Sequence, residues 1–268
     1  MNDRAGRILL PALTLVALLA IWDAAIRFSW IESYLLPSPT AVLSALWSGY
    51  VTDGVLWPHF LTTASETVVG FVLGCAVALI LGSLVAEFKP LEQMVYPYVV
   101  AMQSMPKVAL APLLIVWFGF GFLSKVVLVA LICFFPMFVN VMAGLRSAPT
   151  ELLDLYTAFS AGRFQIFKDI KLPSALPSIF AGLQISLVLS LLGAVVGEFV
   201  ASNKGLGSLI QAASLTFDLP IMFACILTLA LMGATGNILM RWLQRRMLFW
   251  SEATQTNSSP GSTGKRSK

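Results

Sequence analysis

Charge is scarce in this chain. Asp, Glu, Lys and Arg make up only 11% of its 268 residues, against about 25% in an average soluble domain. So few charges cannot cover a water-facing surface, and with 58% hydrophobic residues the chain belongs to the membrane class. Histidine occurs once; His59 cannot build a metal site alone, and an interfacial position is expected for it. The three cysteines, Cys75, Cys133 and Cys225, lie inside apolar runs without paired spacing. They read as buried small hydrophobes and imply neither a disulfide framework nor a metal site. One histidine, scattered acids and no nucleophile–base constellation argue against an intramembrane enzyme. No nucleotide-binding sequence is present either. The GSTGK at Gly261–Lys265 lacks the four residues between glycines, and the preceding strand, that a phosphate loop needs. A net charge of +4 requires no nucleic acid to explain it.

What the chain has is long apolar runs. A helix rises about 1.5 Å per residue, so a span needs about 20 mostly apolar residues. Six stretches qualify, at roughly Ile8–Ile26, Leu61–Ala86, Met94–Phe118, Val126–Leu145, Ile179–Ala201 and Ile221–Leu243. The first is too long for a signal-peptide core and is followed by no small-residue cleavage pattern, so it reads as a retained span. The fold class expected is all-α: a polytopic membrane protein of about six transmembrane helices. Residues 28–88 contain no Lys or Arg. With the N-terminus inside, thirteen of the seventeen basic residues fall on the inner side, which predicts both termini in the cytoplasm. Between the first two spans, Pro37 and Pro39 break the outer segment. Ser38 or Thr40 can cap a short helix there, lying at the outer interface. Residues 1–250 form the membrane domain. The Ser/Thr/Gly/Pro-rich tail 251–268 has no apolar period and is expected to be a disordered cytoplasmic tail; its Asn257-Ser258-Ser259 triplet therefore reads as no glycosylation site.

The inner segment from Arg146 to Pro177 is the most informative stretch. Thr150 is a candidate N-cap, with Glu151 and Asp154 in the favourable first turn. Leu152, Leu155, Tyr156 and Phe159 then mark one face of a short helix. Ser160-Ala161-Gly162 is a turn. A second short helix follows, with Phe164, Phe167 and Ile170 at i, i+3 and i+6, and Pro173 is expected to stop it. A loop resting on the membrane surface would read this way. So would a docking surface, where aromatic tips sit inside a charged rim.

The spacing resembles the cytoplasmic signature of binding-protein-dependent ABC importer permeases: Glu-Ala-Ala, three residues, Gly, nine residues, Ile, one residue, Leu-Pro. Asp154 stands at the acidic position, Ser160 at the glycine, and Ile170, Leu172 and Pro173 at the close, while Leu155-Tyr156 replace the alanines. Gly162, two residues after Ser160, is expected to supply the flexible turn. LPSPTAV at Leu36–Val42, SMPKVALAPLLIVWFGFG at Ser104–Gly121, FFPMFVNVMAGLRS at Phe134–Ser147 and GEFVASNKGLGSLI at Gly197–Ile210 look like the taurine/sulfonate/nitrate-type subfamily. The resemblance covers roughly residues 8–248. It implies a permease of the bacterial inner membrane, without cofactor or catalytic residues of its own. A separate cytoplasmic ATP-binding subunit would dock on the coupling loop 146–177, with Phe164, Phe167 and Ile170 as the docking face. An external solute-binding protein would deliver the solute: a sulfonate, a nitrate-like anion or a small heterocycle. Two ATPase subunits need two permease domains, so a homodimer is the simpler expectation.

Charges inside spans are candidates for the pathway. Asp23, Glu66, Lys107 and Glu198 are such charges, with Gln103 and Asn140 as polar neighbours. Gln103, Lys107 and Glu198 are the candidates for the translocation path. Ser104-Met105-Pro106 can break a helix, which is tolerated where it lines a cavity, and the Lys107 ammonium there would attract an anion. The alternative is a structural pairing of Lys107 with Glu198 or another acid. Gly193, Gly197, Gly205 and Gly207 suit close helix packing or, for Gly205-Leu206-Gly207, an outer turn. The rival class, an ATP-independent secondary transporter or channel, would usually show internal repeats or clustered coupling charges; neither is clear.

Overall fold

The computed structural model describes residues 3–28, 30 and 35–248. The tail from Ser251, expected to be disordered, lies outside them. Every regular element among the described residues is helical. In chain order these are α1 (Asp3–Arg27), α2 (Pro39–Trp47), α3 (Leu56–Glu87), α4 (Lys89–Gln103), α5 (Ala111–Phe118), α6 (Phe122–Arg146), α7 (Thr150–Ala158), α8 (Arg163–Ile166), α9 (Leu172–Ala201), α10 (Leu206–Thr216) and α11 (Leu219–Met247). Ser48–Thr52 and Phe167–Lys171 are π-helical turns, and Lys107–Leu110 is a 3₁₀ turn.

Among the described residues, four helical stretches are long and apolar enough to cross a membrane: α3, α6, Arg163–Val200 and α11. A fifth is counted if the helices on either side of the break at Ser104–Pro106 form one span. Of the six spans expected, the first falls on α1, which is not among those four. The third, Met94–Phe118, is not a continuous helix. Pro106 has no N–H to donate. The ladder there tightens to three-residue bonds, Ser104 N–H to Ala101 O at 3.2 Å and Met105 N–H to Met102 O at 3.3 Å. The fifth span is longer than expected. Pro173 does not stop the helix after the loop, because Phe167–Lys171 changes to i→i+5 bonding and the Leu172 N–H donates to Phe167 O. A proline is accommodated where the ladder shifts register in this way.

The chain divides into two compact units. In the first (1–70, 106–130 and 190–233), Leu56, Leu206 and Cys225 form a buried cluster with Leu46, Tyr50 and Phe60 around it. Ser38 caps α2 as expected, accepting from the Ala41 N–H at 3.2 Å. Trp22 Nε1 donates to Pro37 O at 3.1 Å and so ties the outer segment to α1. Asp23, read as an intramembrane charge, pairs one turn on with Arg27 at 2.6 Å.

In the second unit (71–105, 131–189 and 234 onward), Phe180, Met240 and Leu248 are buried together. Here α6 and α9 approach closely at Gly144, where an added Cβ would stand 2.9 Å from Ala175 O and Ser178 Cβ. Small residues permit such contact between membrane helices. Across the same pair Ser186 Oγ donates to Cys133 O at 3.0 Å. All three cysteines are buried thiols, as read from the sequence. The large apolar side chains left exposed on α3 and α11, such as Ile80, Leu84, Leu231 and Ile238, suit a lipid environment rather than water.

Candidate functional site

The loop between α6 and α9 is an ordered device. Arg146, the last residue of α6, pairs with Glu92 and lies 5.2 Å over the Tyr96 ring. Lys171 donates to Glu87 Oε1 at 2.7 Å. These contacts tie both ends of the segment to α3 and α4. Pro149, not Thr150, occupies the N-cap of α7, without a side-chain cap; its ring fixes the extended entry and leaves Thr150 as the first helical residue.

The end of α7 answers the question raised by Ser160. Phe159 is the C-cap, Ser160 N–H donates to Thr157 O at 2.9 Å, and Ala161 N–H donates to Tyr156 O at 3.0 Å. This bond pair is a Schellman stop, which needs a left-handed residue at the position after the cap. Ser160 adopts it, with φ 57°. Gly162, expected to make the turn, is extended at φ −69° and ψ 154°, a conformation open to any residue. Serine thus takes up the glycine conformation at the glycine position, at a strain of about 1–2 kcal/mol.

On either side of the turn, Phe159 is 80% exposed and Phe164 is 77% exposed. Leu152, Leu155, Asp154, Ser160 and Gly162 are also exposed, and Phe167, Leu172 and Pro173 are half-buried. Ile170 is different: at 4% exposure it is packed inward. The i, i+3, i+6 stripe assumed an α-helix, and the wider π turn over Phe167–Lys171 rotates Ile170 off it. Phe159, read only as part of a helix face, is the aromatic tip that the sequence argument passed over.

A second cluster lies in the first unit. Glu66 of α3 and Glu198 of α9 are both fully buried, and Lys125 of α6 is nearly so. Lys125 Nζ pairs with Glu66 and donates to Ser202 Oγ at 2.8 Å. Glu198 accepts from Thr63 Oγ1 at 2.6 Å and from the Gly207 N–H at 2.5 Å. Thr63 Oγ1 in turn accepts the Leu206 N–H at 2.8 Å, and His59 Nδ1 accepts the Gly205 N–H at 3.1 Å. The Glu198 carboxylate of α9, with Thr63 and His59 of α3, therefore binds the turn that leads into α10. A cavity of about 690 Å³ opens over Glu66 and Lys125, walled by Thr62, Ser65, Phe120, Phe199, Asn203 and Gln211.

Of the three pathway candidates, Glu198 is held in this cluster, while Gln103 ends α4 and Lys107 starts the 3₁₀ turn, half-buried. The cation placed against the buried acids is Lys125. Glu66 lies near the start of the apolar run Leu61–Ala86 and Lys125 immediately before the run Val126–Leu145, so the matching depth of the two is the signal the sequence holds. The turn also shows what its glycines are for. Gly205 has φ +122°, and a Cβ there would stand 2.2 Å from the Glu198 carboxyl. Gly205→Ala should cost about 2–5 kcal/mol from strain and displaced hydrogen bonds. The change would appear as a lowered unfolding midpoint in detergent; an unchanged midpoint would contradict this turn geometry.

Residues 70–249 match the family model described as binding-protein-dependent transport system inner membrane component. The chain is 42% identical over 237 residues to the riboflavin transport system permease protein RibX of Chloroflexus aurantiacus, covering 88% of each chain. It is 33% identical to the formylaminopyrimidine transport permease protein ThiX of Halalkalibacterium halodurans, covering 92% of this chain and 98% of that one. It is 30% identical to the putative aliphatic sulfonates transport permease protein SsuC of Bacillus subtilis, covering 91% and 86%. Among solved structures, the inward-facing MetNI methionine ABC transporter shares the fold at TM-score 0.65 and 20% identity, covering 73% of this chain and 98% of that one. The chain belongs to the binding-protein-dependent transport system inner membrane components, the permeases of ABC importers.

Proposed function

We propose that this chain is the membrane subunit of an ABC importer, which admits a small solute while ATP is hydrolysed on a separate subunit. The observation that carries the reading is the ordered loop between α6 and α9. It is anchored at both ends by Arg146 and Lys171, stopped by Ser160, and presents Phe159 and Phe164 to a partner. An anchored segment transmits a push; a slack one would absorb it. Two copies of the chain face two ATPase subunits, both termini lie in the cytoplasm, and an external binding protein delivers the solute. RibX and ThiX are named for heterocyclic compounds, which favours a small heterocycle over the sulfonates named for SsuC.

The test is co-purification. The detergent-solubilised chain, expressed with an ATPase encoded beside it, should elute with that ATPase and hydrolyse ATP, with two copies of each subunit. A chain that elutes alone and carries solute in vesicles without ATP would instead be a secondary transporter or channel.

A further inference from the structure

Two adjoining hollows lie in the second unit, where loop residues Arg163, Phe164, Phe167 and Leu172 meet the end of α3. One, of about 540 Å³, runs along α3 past Leu79, Ile80 and Leu84 and is closed by Phe88, Phe164 and Leu172. The other, of about 480 Å³, is lined by Glu87, Lys89, Pro90, Arg163, Ile166 and Lys171. Glu87, Phe88 and Arg163 line both, so the apolar slot opens directly into the charged one. Each has the size of a small-molecule site, about 300–1,000 Å³.

The chemistry changes along the axis of α3. From Leu79 to Glu87 is eight steps of helix, about 12 Å, apolar except for Ser83 and ending on charge. At that end Lys171 is paired with Glu87 at 2.7 Å. Lys89 and Arg163 remain exposed on the wall. Three cations against one carboxylate leave a surplus of two positive charges.

We infer that this composite site binds an anionic phospholipid, with an acyl chain against Leu79, Ile80 and Leu84 and the phosphate between Lys89 and Arg163. An apolar slot that follows a spanning helix and ends on surplus positive charge has the polarity of a lipid. Basic pockets between membrane helices are known to take acidic headgroups. A zwitterionic lipid brings its own cation and gains less from Lys89 and Arg163. Because Arg163 begins α8 and Phe164 closes the slot, the bound lipid would brace the coupling loop from its membrane side.

The experiment is native mass spectrometry of the delipidated full chain with phosphatidylglycerol or phosphatidylcholine. Phosphatidylglycerol should be retained at about tenfold lower concentration. Lys89→Gln with Arg163→Gln should remove that preference, and Leu84→Trp, which fills the slot, should lower retention of both lipids. Each variant is checked for an unchanged helical spectrum. Equal retention of the two lipids, or a preference that survives the double substitution in a folded chain, overturns the inference. So does displacement of phosphatidylglycerol by inorganic phosphate, which would show an anion site without the slot. A disulfide between two copies through Ile80→Cys would also overturn it, by placing a second copy on the slot.

Discussion

Replacing Lys125 by methionine should destabilise the folded chain by about 3–5 kcal/mol, the range for removing one partner of a buried ion pair. The size follows from what stays behind. Glu66 and Glu198 are fully buried, and Lys125 is the cation that pairs with Glu66. Without it, Glu66 loses its partner and Ser202 loses a hydrogen-bond donor. Removing both charges is a different matter. A buried pair replaced by apolar groups of similar volume is often neutral or stabilising. Lys125→Met combined with Glu66→Leu should therefore recover most of the loss. The readout is the midpoint of SDS-induced unfolding in mixed micelles. A single variant within about 0.5 kcal/mol of the parent, the usual range for surface substitutions, would mean that Lys125 does not pair with Glu66. A double variant as unstable as the single one would mean that Glu66 is needed for another reason.

This pair also marks how far the sequence could be read. Hydropathy located the apolar runs, because a span needs only length and composition. Ser38 was legible as a cap, since capping involves residues three apart. The loop was legible through spacing as short helices joined by a turn. What escaped the sequence depends on partners far along the chain or on a local change of helical register. Glu66 meets Lys125 across 59 positions, and Thr63 meets Glu198 across 135. No periodicity encodes such pairs; only the matching depth of two charges hints at them. Pro173 and Ile170 were misplaced for a shared reason. Both readings assumed 3.6 residues per turn, and the π turn at Phe167–Lys171 carries the helix through the proline while it turns Ile170 inward. Ser160 was identified by position, but its left-handed backbone is visible only once the bonds of Ala161 and Ser160 are placed.

Phe159→Ala together with Phe164→Ala should uncouple the transporter while leaving the chain folded. Both rings are mostly exposed, so their removal leaves no interior cavity, and the effect on the unfolding midpoint should stay within about 0.5 kcal/mol. At an interface the same rings are of the kind that dominates binding, where loss of an anchoring aromatic costs about 2 kcal/mol or more. That corresponds to roughly a 30-fold weaker grip on the ATPase, since about 1.4 kcal/mol is tenfold. ATP-driven uptake into vesicles should fall at least tenfold, and the ATPase should be lost on purification. Ile170→Ala provides the contrast. Its side chain is buried, so truncation should lower stability by about 2–5 kcal/mol through the interior, not through the partner. If Ile170→Ala abolished ATPase binding at full stability while the double phenylalanine variant bound normally, the docking face would lie on the other side of the loop. The opposite outcome would assign force transfer to the two exposed rings that flank the Ser160 turn.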